Sequence, residues 1–151
     1  HFSAKAGSGS LRIDGSASFD NTNMAGLWRS GFDIARFDGD GTFGPGFYAV
    51  NNADFTGNQR TVGNTGEVFN SFPWTWAVEG GNFIARTYNT NLGRRNSCAG
   101  TTSCFLSRTR GWQPISRVGN RIYVLEELLD RSTATGPWRV SGQRMNFYEL
   151  Q

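Results

Sequence analysis

Along this chain, apolar and polar positions alternate with a period of two far more often than they follow a helical repeat. Phe72, Trp74, Trp76 and Val78 fall on one side of an extended segment, as in a strand with one face on a core. Glu79-Gly80-Gly81-Asn82 reads as a hairpin turn into a second strand, Phe83–Tyr88. Earlier, an apolar stretch opens at Leu27-Trp28, reaches Phe37 and stops at the turn Asp38-Gly39-Asp40-Gly41. Thr42–Val50 follows, with Gly44-Pro45-Gly46 marking an edge or bulge. Residues 51–66 form a polar loop. Phe105–Arg110 and Arg121–Leu125 are strands around a Val118-Gly119-Asn120 turn, and Trp138–Val140 and Met145–Leu150 flank a Ser141-Gly142 turn. Residues 125–131 suit a short helix equally well, because Leu125, Leu128 and Leu129 share a helix face.

The pattern predicts an all-β protein: a single antiparallel barrel or sandwich of about eight strands, with at most one short helix near 125–131. A length of 151 residues favours one domain. Residues 24–151 carry it. Residues 1–23 form an N-terminal extension or an added strand, since Leu11 and Ile13 alternate with polar neighbours and Gly7–Ser10 resembles a linker. The hydrophobic fraction is only 37%, but 12 Phe, 5 Trp and 4 Tyr offset it. Each buried ring removes roughly 150–250 Å² from water. The 20 glycines fit a chain with many tight turns.

Gly26-Leu27-Trp28 resembles the Gly-x-Trp that opens the first barrel strand of lipocalins. Phe37-Asp38-Gly39-Asp40-Gly41-Thr42, Trp74–Gly81 and Phe83–Ala85 are similar to bacterial lipocalin-like modules, and the likeness covers roughly residues 24–90. It implies an up-and-down antiparallel barrel. It also raises a small apolar-ligand binder as one expectation, because members of that family often enclose such a ligand.

Charge adds the main functional signal. Between Glu79 and Glu126 there is no acidic residue but there are seven arginines: Arg86, Arg94, Arg95, Arg108, Arg110, Arg117 and Arg121. The charges of residues 1–79, 80–125 and 126–151 are −3, +7 and −1. Such asymmetry predicts an electropositive face. Tyr88, Trp112 and Tyr123 are interleaved with the arginines and offer stacking platforms for sugar rings or bases. The competing expectation is that each arginine pairs with an acid from elsewhere in the domain. Fourteen of the fifteen basic residues are arginine, whose planar fork grips carboxylate, sulfate or phosphate in two-point contacts.

Catalytic and metal chemistry have few candidates. The single histidine is His1, so a Ser-His-Asp or Cys-His arrangement lacks a base. Asp38 and Asp40, with Asp33, are the only hint of a calcium loop, and Ala49 stands where a bidentate Glu would be needed. Glu126-Glu127 is the obvious carboxylate pair, but adjacent side chains diverge on a strand or a helix. The pair therefore reads as solvated surface. Cys98 and Cys104 are expected to form a disulfide around a small polar loop. A disulfide implies an oxidising compartment, hence a secreted, cell-surface or periplasmic protein. The absence of an Asn-x-Ser/Thr sequon leans towards a bacterial source. No apolar run approaches the length of a membrane span.

Two function classes follow. One is a non-catalytic extracellular β-module with no cofactor, which binds an anionic, polysaccharide-like partner or another polyanion. Together with such binding or in place of it, the module would self-associate as a homo-oligomer or filament through its N-terminal segment, as a subunit of an extracellular assembly. The other is a polysaccharide hydrolase or lyase in which Tyr and Arg replace histidine.

Overall fold

Alternation and turn chemistry together close this chain into a barrel. The computed structural model describes residues 18–31 and 45–151. The strand at Leu11–Ile13, the Asp38–Gly41 turn and the Asp33, Asp38 and Asp40 cation site lie outside the described residues. The strands are β1 Gly26–Ser30, β2 Gly46–Asn51, β3 Thr56–Val62, β4 Val68–Glu79, β5 Asn82–Thr90, β6 Gly93–Arg95, β7 Phe105–Val118, β8 Arg121–Asp130 and β9 Arg139–Leu150. All pairings are antiparallel, and each barrel strand pairs with the next in the chain. β9 returns to β1 and closes the barrel, while the short β6 lies outside it on the edge of β5. This is an up-and-down barrel of eight strands and not a sandwich.

The aromatic alternation supplies the core. Trp28, Trp74, Trp76, Phe83, Trp112 and Tyr148 are buried, and their rings form a chain from Trp76 through Phe83 and Trp112 to Tyr148. Val78 packs against this cluster. The Gly80-Gly81 turn is as expected, and both glycines have positive φ. Residues 18–25 cap one end of the barrel. Phe19 and Met24 are buried there, Asn51 and Trp28 donate hydrogen bonds to the Met24 carbonyl, and Asn21 accepts one from the Val78 backbone. Gly26 begins β1 at φ +136°, and a Cβ at this position would lie 2.5 Å from Leu150.

Four sequence expectations change. Residues 51–66 are not one loop, since they contain β3. The inner face of β3 looks polar because Gln59 serves the charged half of the lumen, and Gly57 is small to admit Trp74, whose Nε1 would lie 2.5 Å from a Cβ there. Residues 125–131 are strand and not helix through Asp130. Ser141-Gly142 is not a turn. It belongs to β9, beside the register shift at Leu128/Leu129. Phe72 leaves the face of Trp74 and Trp76, because β4 carries an extra residue opposite Gly57–Gln59 and Phe72 adopts φ +46°.

Candidate functional site at the arginine-rich end of the barrel

Antiparallel order gathers the end of β5, β6, the start of β7, the end of β8 and the start of β9 at the barrel end opposite the N-terminal cap. Deep in that half sits Glu126, only 3% exposed. Its carboxylate accepts hydrogen bonds from Arg110 Nη1 at 2.7 Å, Trp112 Nε1 at 3.0 Å and Arg144 Nε at 3.1 Å. The Tyr148 hydroxyl and, at 3.4 Å, Asn146 Nδ2 also donate to it. Arg110 also donates to Gln59 Oε1 and stands 4.8 Å from the Phe47 ring. Glu126 is therefore not solvated surface. Strand alternation sends it into the lumen and sends Glu127 to the outer wall, where it accepts from Gln143.

Burial alone would raise the pKa of Glu126. The charge of Arg110, hydrogen bonds from Tyr148 and Trp112, and the charge of Arg144 outweigh that and hold it below its ordinary value. Tyr148 moves the other way. Burial first, then the Glu126 charge, pushes its hydroxyl well above 10.0. Arg110, Glu126, Leu128, Gly142, Gln143 and Arg144 line a depression of about 210 Å³ above this network. Two guanidiniums face one carboxylate there, leaving the depression positive.

The predicted site residues divide between the two ends. Arg94 and Arg95 lie on β6 at the arginine-rich end and are exposed. The guanidiniums of Arg94 and Arg108 stand 4.0 and 3.8 Å from the Phe72 ring centre, and Arg108 also makes a two-point contact with Asp130. Tyr88 pairs with Arg95 across β5 and β6. Arg86 is lower on the wall and forms a two-point pair with Glu79. It borders a second depression of about 380 Å³ over Gly111, floored by Ile84, Leu125 and Leu129. Arg117, Arg121 and Tyr123 lie towards the opposite end: Arg117 donates to the Gly119 carbonyl, and Arg121 pairs with Glu149. Trp112 is fully buried and stacked on Tyr148, so its ring is part of the core and not a ligand platform.

Sequence reading missed Arg131, Arg139 and Arg144, which β8, β9 and their connection bring to the same end. They lie beyond the acid-free interval that drew attention to the others. Arg131 stands over Trp138, itself 38% exposed. Among the described residues, Arg94, Arg95, Arg131 and Arg139 make no ion pair. Four of the seven arginines in the interval are instead neutralised, by Glu79, Asp130, Glu126 and Glu149.

No protein-family model, curated protein or solved structure matches this chain. The lipocalin resemblance thus rests on the sequence alone, on Gly26-Leu27-Trp28 and the similar stretches to residue 90. The disulfide Cys98–Cys104 is formed, with Cα atoms 5.6 Å apart. It closes the loop between β6 and β7 at the same end as Arg94 and Arg95. Among the described residues, no His, Cys, Asp and Glu cluster could hold a metal ion, and no helix is long and apolar enough to cross a membrane.

Proposed function

We propose that this protein is a binding module, not a catalyst, and that it takes an anionic, polysaccharide-like ligand at the arginine-rich end of its barrel. The observation that carries the reading is that Arg94, Arg95, Arg131 and Arg139, which make no ion pair among the described residues, lie at the same barrel end as the depression lined by Arg110 and Arg144. Exposed guanidiniums stay hydrated until a sulfate or carboxylate replaces water with a two-point contact. Trp138 beneath Arg131 adds an exposed ring on which a sugar face can stack.

Binding is favoured over hydrolysis or elimination by the state of the carboxylate. Glu126 is already saturated by donors, and Tyr148 keeps its proton, so neither is poised to take one from a substrate. Trp28, Trp74, Trp112 and Tyr148 fill the core, which favours a surface ligand over an enclosed apolar one. The disulfide suits a secreted, cell-surface or periplasmic location. Titration calorimetry with a sulfated or uronate-bearing polysaccharide, against the neutral parent polymer, tests the proposal. Binding of the charged polymer alone, weakening with salt, supports it. Equal affinity for both polymers contradicts it.

A second reading rests on β9. This strand pairs with β1 only through Tyr148–Leu150, so among the described residues its Arg139–Met145 edge is unpaired, with Val140 and Met145 exposed. Such an edge can accept a strand from a second copy. Size-exclusion chromatography over a concentration series tests it: a concentration-dependent oligomer is expected, and a monomer throughout removes it.

A further inference from the structure

On the outer wall of the barrel, Arg121, Glu149, Arg29, Tyr48 and Arg60 stand in register across β8, β9, β1, β2 and β3. Trp28 and Ala49 face the core, so alternation turns Arg29 and Tyr48 outward. Arg29 is nevertheless 0% exposed. Its Nη2 donates to the Pro45 carbonyl at 2.9 Å, and its guanidinium lies 5.8 Å from the Tyr48 ring centre. Its Nε and Nη1 have no partner among the described residues, and neither does the buried Nε of Arg60 on the far side of Tyr48. The one carboxylate in the row, Glu149, is taken by Arg121 at 2.9 Å.

A buried guanidinium without a counter-charge carries an uncompensated desolvation cost, so among the described residues the row is one anion short. The unpartnered nitrogens Arg29 Nε, Arg29 Nη1 and Arg60 Nε outnumber the two oxygens of a carboxylate and suit an anion with three or four. We propose that the Arg29–Tyr48–Arg60 row binds a tetrahedral oxyanion, phosphate or sulfate, free or as an ester. This site lies on the outer face of β1, β2 and β3, which carry none of Arg94, Arg95, Arg131 and Arg139, and does not depend on those residues.

The test follows thermal unfolding as inorganic phosphate is added at millimolar levels, with chloride at matched ionic strength as the control. A saturable rise of about 5–10 °C is expected at a hundredfold excess over Kd. Arg60→Gln should need at least about tenfold more phosphate for the same rise, the loss expected when a hydrogen bond to a charged group is removed. Arg29→Gln should abolish the rise, and if that variant does not fold, Arg60→Gln carries the test. A parallel titration with a sugar sulfate ester separates the sources: a rise with the ester alone assigns the site to ester groups, and a rise with both assigns it to the anion itself. No saturable rise with either overturns the proposal. So does an unchanged response in Arg60→Gln, or an equal loss in the double variant Arg94→Ser and Arg95→Ser.

Discussion

Inside the barrel the Tyr148 hydroxyl donates to the Glu126 carboxylate, and the two groups shift in opposite directions: Glu126 becomes more acidic and Tyr148 less so. The folded state therefore binds fewer protons at Glu126 than the unfolded chain does in acid, and more at Tyr148 in alkali. For Glu126, stability is fully present above the ordinary value of 4.5 and is lost as pH falls through the depressed folded value. For Tyr148, it is fully present below 10.0 and declines as pH rises above that. Glu79 and Asp130, lowered by Arg86 and Arg108 against the opposing effect of burial, add to the acid limb. Urea unfolding from pH 3 to 11 should show a plateau falling at both ends, and Tyr148→Phe should flatten the alkaline limb.

Removing the carboxylate strands Arg110, which is 7% exposed. Glu126→Ala should cost about 3–5 kcal/mol, the loss typical of a broken buried pair. Arg144→Ala, whose side chain is 48% exposed, should cost about 1 kcal/mol or less. The urea midpoint at constant slope gives both numbers. Equal costs would show that Glu126 is not buried as described.

Two glycines of ordinary φ should respond oppositely to alanine. At Gly57 a Cβ would lie 2.0 Å from the Val50 carbonyl oxygen, and backbone cannot yield cheaply. Gly57→Ala should lose about 1–3 kcal/mol. At Gly111 the nearest atom is the Phe83 carbonyl oxygen at 3.9 Å. Gly111→Ala should be neutral or stabilising by up to about 1 kcal/mol. Thermal midpoints of the two variants decide it.

The barrel was legible wherever large rings alternate with polar residues, as in Trp74–Val78 and Phe83–Tyr88, and wherever glycine pairs mark hairpins. β3 was not, because its inner face carries Gly57, which makes room for Trp74, and Gln59, which accepts from Arg110, so no alternating apolar face is left to read. Nor does sequence separate Glu126 from Glu127. One is buried and one is not because Trp112 and Tyr148 stand on neighbouring strands, a relation set by register between distant segments. The arginine interval was visible, but its division into paired and unpaired members was not, since Asp130 and Glu149 come from outside it.

The disulfide loop lies beyond the closed barrel, so reduction should lower stability without unfolding the protein. Closing a loop of separation 6 corresponds to about 2 kcal/mol in the chain-entropy estimate. A melt with and without reductant should show a modest drop in midpoint and unchanged far-ultraviolet dichroism in the folded baseline.

The salt concentration that elutes the protein from a sulfated-polysaccharide resin tests the central claim most directly. The triple variant Arg94→Ser, Arg95→Ser and Arg139→Ser, all at the arginine-rich end, should elute at clearly lower salt than the native chain. Arg117→Ser, at the opposite end, should elute where the native chain does. Equal elution of all three proteins, or a larger shift for Arg117→Ser, would contradict ligand binding at that end of the barrel.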